Sequence, residues 1–368
     1  MKIPFVDLRA QYLRYQDSID SAIRSVIDAT SFIGGEPVKS FERDYASAYG
    51  VRHCIACANG TDAIYIVLRM LNIGPGDEVI TTAASWISTS ETISQAGAKP
   101  VFVDVDRYFC IDVSRVENAI TPRTKAVIPV HLYGQAAEVD ALADLCRARG
   151  LHLIEDCAQA HFAERDGKRV GLFGTAGTFS FYPGKNLGAY GDAGAIITND
   201  DSLAERCRMY ANHGALTKHQ HKMEGINSRL DSLQAAILSA KLPYLAEWTA
   251  ARVRVAQEYR RRLADIGEIE LPEERAGSTH VYHLFVVKAT RREALRKYLD
   301  AKGIETGIHY PTPLPLLEAY RYLSISAEQI PVAAGNAERI LSLPIFPEMT
   351  DSMVDYVCHS IREFYRNG

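Results

Sequence analysis

Apolar and polar positions follow two periods along this chain. Over residues 7–30, Leu8, Tyr12, Tyr15, Ile19, Ile23 and Ile27 recur near helical spacing and predict an amphipathic helix. Ser31-Phe-Ile-Gly-Gly35 breaks it, and a second helix is predicted over 40–49, closed by Gly50. The period then shortens. Runs rich in β-formers at 53–59, 78–82, 100–105, 126–131, 152–157, 175–182 and 194–198 alternate with helical stretches at 61–71, 88–95, 113–119, 139–149 and 202–210. Such alternation predicts a mostly parallel sheet with helices on both faces. Val127-Ile-Pro-Val130 is apolar without alternation, as burial on both faces requires. No helix separates the last two runs, so part of the sheet is expected to be antiparallel. After Leu230 the texture changes. A long helical region runs through Leu245 and Arg252 to Leu263, with a kink expected at Pro243. A loop at 267–277, a strand at 281–287, a helix at 291–302, a strand at 305–309 and a helix at 353–364 make a smaller α+β unit. Pro311, Pro313 and Pro315 mark an extended loop after that last strand. The expected division is a large domain over 1–245, with an N-terminal helical arm at 1–35, and a small domain over 246–368.

Composition narrows this picture. A chain of 368 residues is too long for one small core, and 47% hydrophobic with 23% charged residues is ordinary for a globular enzyme. A net charge of −4 provides no field for nucleic acid. No apolar run is long enough to span a membrane, and Met1-Lys-Ile-Pro-Phe-Val-Asp7 lacks the apolar core of a signal peptide. Seven scattered cysteines fit reduced thiols better than a disulfide framework. Together these imply a cytoplasmic protein without nucleic-acid or membrane partners.

Candidate chemistry gathers at Phe179-Ser-Phe-Tyr-Pro-Gly-Lys-Asn-Leu-Gly188. Lys185 follows a Pro-Gly turn and precedes several glycines; alone, it reads either as an exposed loop residue or as an amine poised for a Schiff base with a carbonyl cofactor. Ala58-Asn-Gly-Thr-Asp62, between a strand and a helix, presents free N–H groups and a hydroxyl. It is either a phosphate cradle or a plain turn with Thr61 as N-cap. Asp156 ends a strand, where ligands of open α/β sheets bind, and could keep a pyridine nitrogen protonated; Glu155 must point to the opposite face. Ser180 precedes Lys185 closely enough to bond a phosphate on the same ligand, and Trp86 reads equally as a stacking indole or as core. Cys54-x-x-Cys57 lies on a predicted strand whose odd spacing sends the thiols to opposite faces, so it is not read as a metal pair. His213, Lys218, His219, His221 and Lys222 are read as a basic loop open to anionic ligands rather than a metal site.

Taken together, these segments resemble the nucleotide-sugar aminotransferases of the DegT/StrS type, fold type I enzymes of pyridoxal phosphate (PLP). The likeness also rests on Phe32-Ile-Gly-Gly-Glu36, Gly74-Pro-Gly-Asp-Glu-Val79, His131-Leu-Tyr-Gly-Gln135, Glu155-Asp-Cys-Ala-Gln-Ala-His161, Asn227-Ser-Arg-Leu-Asp231 and Ile308-His-Tyr-Pro311. It implies a three-layer large domain with a seven-stranded, mostly parallel sheet and a smaller C-terminal α+β domain. By position, Lys185 matches the lysine that bonds the cofactor and moves the proton, and Asp156 matches the partner of the pyridine nitrogen. Gly60, Thr61 and Ser180 match phosphate contacts, Trp86 the stacked aromatic, and Gln159 the side chain beside the ring. Asn227 matches a residue that reaches the neighbouring subunit's cofactor, implying a homodimer with shared sites. Gly35, Tyr182, His309 and Tyr310 match substrate positions.

The implied reaction moves an amino group from L-glutamate, which leaves as 2-oxoglutarate, by way of the PLP and pyridoxamine phosphate (PMP) forms, to a keto group of a nucleotide-linked hexose. His280-Val-Tyr-His-Leu-Phe285 and Gly307-Ile-His-Tyr-Pro-Thr-Pro313 resemble enzymes of 3-keto sugars, pointing to C-3 and to amino sugars of polysaccharides, O-antigen or glycosylated metabolites. The alternatives are a C-4 enzyme of the perosamine or bacillosamine type and a non-catalytic regulatory paralogue. Two departures from the family pattern, Phe162-Ala163-Glu164 and Thr81-Thr-Ala-Ala-Ser-Trp86, are expected to reshape the sugar pocket.

Overall fold

A computed structural model describes residues 1–367. Two helices, α1 (Leu8–Asp28) and α2 (Gly35–Tyr49), precede the sheet, α2 starting earlier than its apolar period suggested. There follow β1 (His53–Cys57), α3 (Gly60–Met70), β2 (Glu78–Thr82), α4 (Ser88–Gln95), β3 (Lys99–Val103), α5 (Val113–Ala119), β4 (Thr124–Ile128), α6 (Val139–Arg149) and β5 (His152–Asp156). A small hairpin, β6 (Glu164–Arg165) and β7 (Lys168–Arg169), leads into β8 (Ala176–Ser180), β9 (Gly194–Thr198) and α7 (Asp201–Ala211). The seven main strands lie in the order β1-β9-β8-β5-β4-β2-β3. All pairs are parallel except those of β9, which runs against both β1 and β8. The absent helix before β9 thus has the expected consequence: β8 and β9 form a hairpin, and Lys185 lies in its loop.

Helices cover both faces. Cys54 packs on one face with Phe41 and Tyr45 of α2, and Cys57 on the other with Ala63 and Val67 of α3, so the two thiols are indeed separated by the sheet. Beyond α8 (Ser232–Lys241), a 3-10 turn at Leu242–Tyr244 carries Pro243 and redirects the chain into α9 (Leu245–Leu263). The proline breaks the helical ladder outright. Leu245 and Trp248 of α9 lie in the core of the large sheet, and Tyr259 and Leu263 lie in a second core. That core surrounds a three-stranded antiparallel sheet of β10 (Ile269–Glu270), β11 (Phe285–Ala289) and β12 (Ile340–Leu343), with α10 (Arg292–Ala301), α11 (Pro331–Arg339) and α12 (Asp351–Arg366) around it.

Three expectations need correcting here. The strand at 281–287 begins only at Phe285, and β10 lies within the expected loop. No strand forms at 305–309; Gly307 makes a lone bridge to Ser342, and the chain curls away toward Pro311. No helix among the described residues is long and apolar enough to cross a membrane.

Candidate active site

The site is assembled at the carboxyl ends of β1, β5 and β8. Gly60 begins α3 where its backbone packs against Ser180: a Cβ there would lie 2.6 Å from the Ser180 Cβ. Any side chain would fill this cradle. The N-cap of α3 is Asn59, whose side chain accepts from the Asp62 N–H at 2.8 Å, so Thr61 is not the cap. The first N–H groups of a helix lack intrahelical acceptors and favour anions. The Thr61 hydroxyl instead pairs with Ser88 of α4 at 2.7 Å, adding a hydroxyl pair to that end of the helix. Gly194, opening β9, is pressed even closer: its Cβ would meet the Asn59 carbonyl at 2.2 Å.

Asp156 is buried at the end of β5. Burial raises its carboxyl above the usual range; the Ala158 N–H at 3.1 Å and the Thr89 hydroxyl at 2.8 Å pull it back, as do Lys185 and His131. Glu155 turns the other way and accepts the N–H groups of Gly171 (2.6 Å), Phe173 (2.7 Å) and Gly174 (2.9 Å). It also lies 3.1 Å from the His131 Nε2. His131, Glu155 and Cys157 converge within 4.8 Å, but the carboxylate there is already committed to backbone.

Lys185 is half-buried as a residue, while its amine lies among groups that strip it of water. Burial brings that amine down to about 8, against the pull of Asp156. An amine lowered this far, in the field of a buried carboxylate, has an unprotonated fraction large enough to bond an aldehyde and carry a proton. Ser180 is fixed by His161, whose Nε2 lies 3.0 Å from the Ser180 carbonyl. That carbonyl accepts only, so Nε2 carries the hydrogen and Nδ1 accepts from the Tyr45 hydroxyl at 2.9 Å. Burial drops His161 to about 3, keeping it neutral for this role.

The opposite wall is made of loops. Gln159 accepts from the Tyr133 N–H at 2.7 Å and donates to the Tyr310 hydroxyl at 3.2 Å. The Tyr133 hydroxyl donates to the His309 carbonyl, and the His309 Nδ1 lies 2.8 Å from the Ser342 hydroxyl. Burial lowers His309 to about 4, helped by Lys185, and raises Tyr310 to about 12, helped by Asp156. Trp86 is 59% exposed, which removes the core alternative; its indole lies 5.6 Å from the Tyr310 ring.

The structure therefore brings together Lys185, Asp156, Gly60, Thr61, Ser180, Gln159, Trp86, His309 and Tyr310. Tyr182 is exposed on the lysine loop. Gly35 lines a different groove with Lys39, Arg208 and Arg229, and Asn227 is exposed beside Asn212, so neither joins Lys185 within one chain. Phe162 corrects the expected reshaping of the sugar pocket: half-buried, it packs on Tyr49 and under Arg169 at the edge of the core, away from Lys185. Ala84 and Ser85 of the other departure do reach the site, lining a small cavity with Tyr310. Sequence reasoning missed Thr89, Ser88, Tyr133 and His161. The only sequence signal for the first two is the density of hydroxyls in Ser88-Thr-Ser90, opening a helix after a strand.

The donor set fits a PLP molecule: a cradle closed to side chains, helix N–H groups and hydroxyls for a phosphate, a buried carboxylate for a ring nitrogen, and an amine for an aldehyde.

Comparison with known proteins agrees. Residues 14–362 match the DegT/DnrJ/EryC1/StrS aminotransferase family. The pleiotropic regulatory protein of Geobacillus stearothermophilus is 47% identical over 100% of both chains. The UDP-N-acetyl-3-dehydro-alpha-D-glucosamine 3-aminotransferase of Acidithiobacillus ferrooxidans is 44% identical over 98% of this chain and 97% of its own. The crystal structure of S. venezuelae DesV in complex with a ketimine intermediate superposes with a TM-score of 0.96 at 42% identity, covering 99% of this chain and 98% of that one.

Proposed function

The chain belongs to the DegT/DnrJ/EryC1/StrS aminotransferase family of PLP-dependent nucleotide-sugar transaminases, and we propose that it transfers the amino group of L-glutamate to C-3 of a 3-keto nucleotide hexose. The observation that carries the aminotransfer is the water-stripped Lys185 amine within the field of the buried Asp156, together with the tight Gly60–Ser180 cradle. When bound, PLP supplies the electron sink for moving an amino group between carbon skeletons. The N-terminus of α3, with Thr61 and Ser180, would hold the phosphate. Asp156, oriented by Thr89, would keep the ring nitrogen protonated. Trp86 and Gln159 would steady the ring. The Lys185 amine, neutral in useful measure near pH 8, would move a proton between substrate and cofactor in each half-reaction, off the donor carbon in the first and onto the sugar carbon in the second. His309 and Tyr310 choose which keto carbon comes within its reach, with Tyr182 farther along the substrate; Gly35, in a separate groove of its own chain, would reach the substrate only from the neighbouring subunit.

Asn227 serves the neighbouring subunit's cofactor in a homodimer. Its exposure, and the absence of any side-chain hydrogen bond to it among the described residues, support that role. The choice of C-3 is supported by the name of the Acidithiobacillus relative. Incubation with glutamate and either a 3-keto or a 4-keto nucleotide sugar, read by product NMR, tests it. Amination of the 3-keto sugar is expected; amination of the 4-keto sugar alone would move the assignment to C-4, and no release of 2-oxoglutarate would remove it.

A further inference from the structure

One buried charge plays no part in this scheme. Lys241, the last residue of α8, is 1% exposed, and its ammonium donates to the carbonyl of Gly188. The rings of Tyr190 and Trp248 lie 5.0 and 5.8 Å from it. No carboxylate is paired with it among the described residues; Glu348 acts on it only at longer range. Burying an ammonium to satisfy one carbonyl costs more than filling the same volume with an apolar chain, so the contact calls for a use.

The carbonyl it holds belongs to the lysine loop. That loop closes on itself: the Lys185 N–H donates to Tyr182 at 2.8 Å and the Ala189 N–H to Phe181 at 2.7 Å. Gly188 is pressed against the turn, where a Cβ would lie 2.3 Å from the Pro183 carbonyl. Moving Gly188 therefore moves Pro183, and with it the turn that carries Lys185. The same helix holds the loop a second time, since Gln234 accepts from the Tyr190 N–H at 2.8 Å.

We infer that Lys241 is a positioning residue for Lys185: its ammonium pins the Gly188 carbonyl and so fixes the turn that aims the reactive amine into the site. The inference rests on the aminotransferase reading for what Lys185 does, while the loop geometry stands apart from it. Two variants of the full-length protein test it. Lys241→Met removes charge and donor at similar length; Lys241→Gln keeps a donor. With Lys241→Met, amide exchange at Lys185 and Ala189 is expected to speed up about tenfold more than in β4 and β5, with or without added PLP. Turnover is expected to fall about tenfold while the KM for nucleotide sugar stays within about twofold, and Lys241→Gln is expected to lie between. If exchange in the loop rises no more than in those strands, or turnover is retained, Lys241 merely fills space and the inference fails. Should Lys241→Met not fold, Lys241→Gln decides by the same two measurements. A wild-type protein that transfers no amino group would sink the functional reading but leave the exchange result to stand.

Discussion

Gly60, Ser180 and Asp156 stand where strands end, and neighbouring backbone holds them there. On the facing wall, His309 and Tyr310 are held by one hydrogen bond each to Tyr133, Ser342 and Gln159 and by ring packing with Phe5 and Trp86. The two walls therefore differ in how much a substitution can change. On the sheet side a group is either in register with the strands or lost. On the loop side each contact is worth one hydrogen bond, roughly 1 kcal/mol, so a change there tunes the site without abolishing it.

The largest effect that this contrast predicts is at Lys185. Lys185→Ala should abolish the visible absorption of bound PLP and lower turnover by roughly a thousandfold or more. Survival of the band would mean that another amine holds the cofactor, and the sheet side would lose its central group. A smaller effect follows from burial of the same amine. Its pKa is brought from 10.5 to about 8, and only the neutral amine attacks an aldehyde. Lowering the pKa enlarges that neutral fraction, so PLP capture by the cofactor-free protein should rise about tenfold per pH unit below 8 and level off above it. Stopped-flow capture rates still climbing toward pH 10 would show the amine to be solvated. The smallest change is expected on the loop side. Tyr310→Phe removes the bond to Gln159 and should raise the KM for nucleotide sugar about fivefold with little effect on PLP uptake. Equal losses in both measurements would erase the distinction between the walls.

The same contrast separates what the sequence made legible. Strands β2 and β9 and helices α4, α5 and α6 lie where the apolar runs and helical spacings put them, because a double-sided sheet imposes its burial on every residue of a strand. Lys185, Asp156 and Gly60 stand beside such strands, so their meeting could be read from strand ends. Residues 305–309 misled because β-forming side chains say nothing about whether a partner backbone is in register; Glu305 meets Ile3 and Gly307 meets Ser342, on two different segments of chain, so no ladder forms. Ile340–Leu343 went unread as the partner of Gly307. Thr89 was invisible for a related reason: its hydroxyl meets Asp156 across 67 residues of chain, and neither local pattern mentions the other.

Gly60 against Ser180 and Gly194 against Asn59 also bear on how this protein can diverge. Both contacts admit no added carbon, so no substitution at either glycine can enlarge, shrink or recharge the cradle by degrees. Any change there is a loss, and selection has no slope to climb. The facing wall offers smaller steps: a phenol and an imidazole, each held by side-chain hydrogen bonds. If His309 and Tyr310 select the acceptor as proposed, a lineage built on this scaffold can wander among sugars through the residues around Tyr310, with the glycines of the cradle held in a geometry that mutation can break but not adjust.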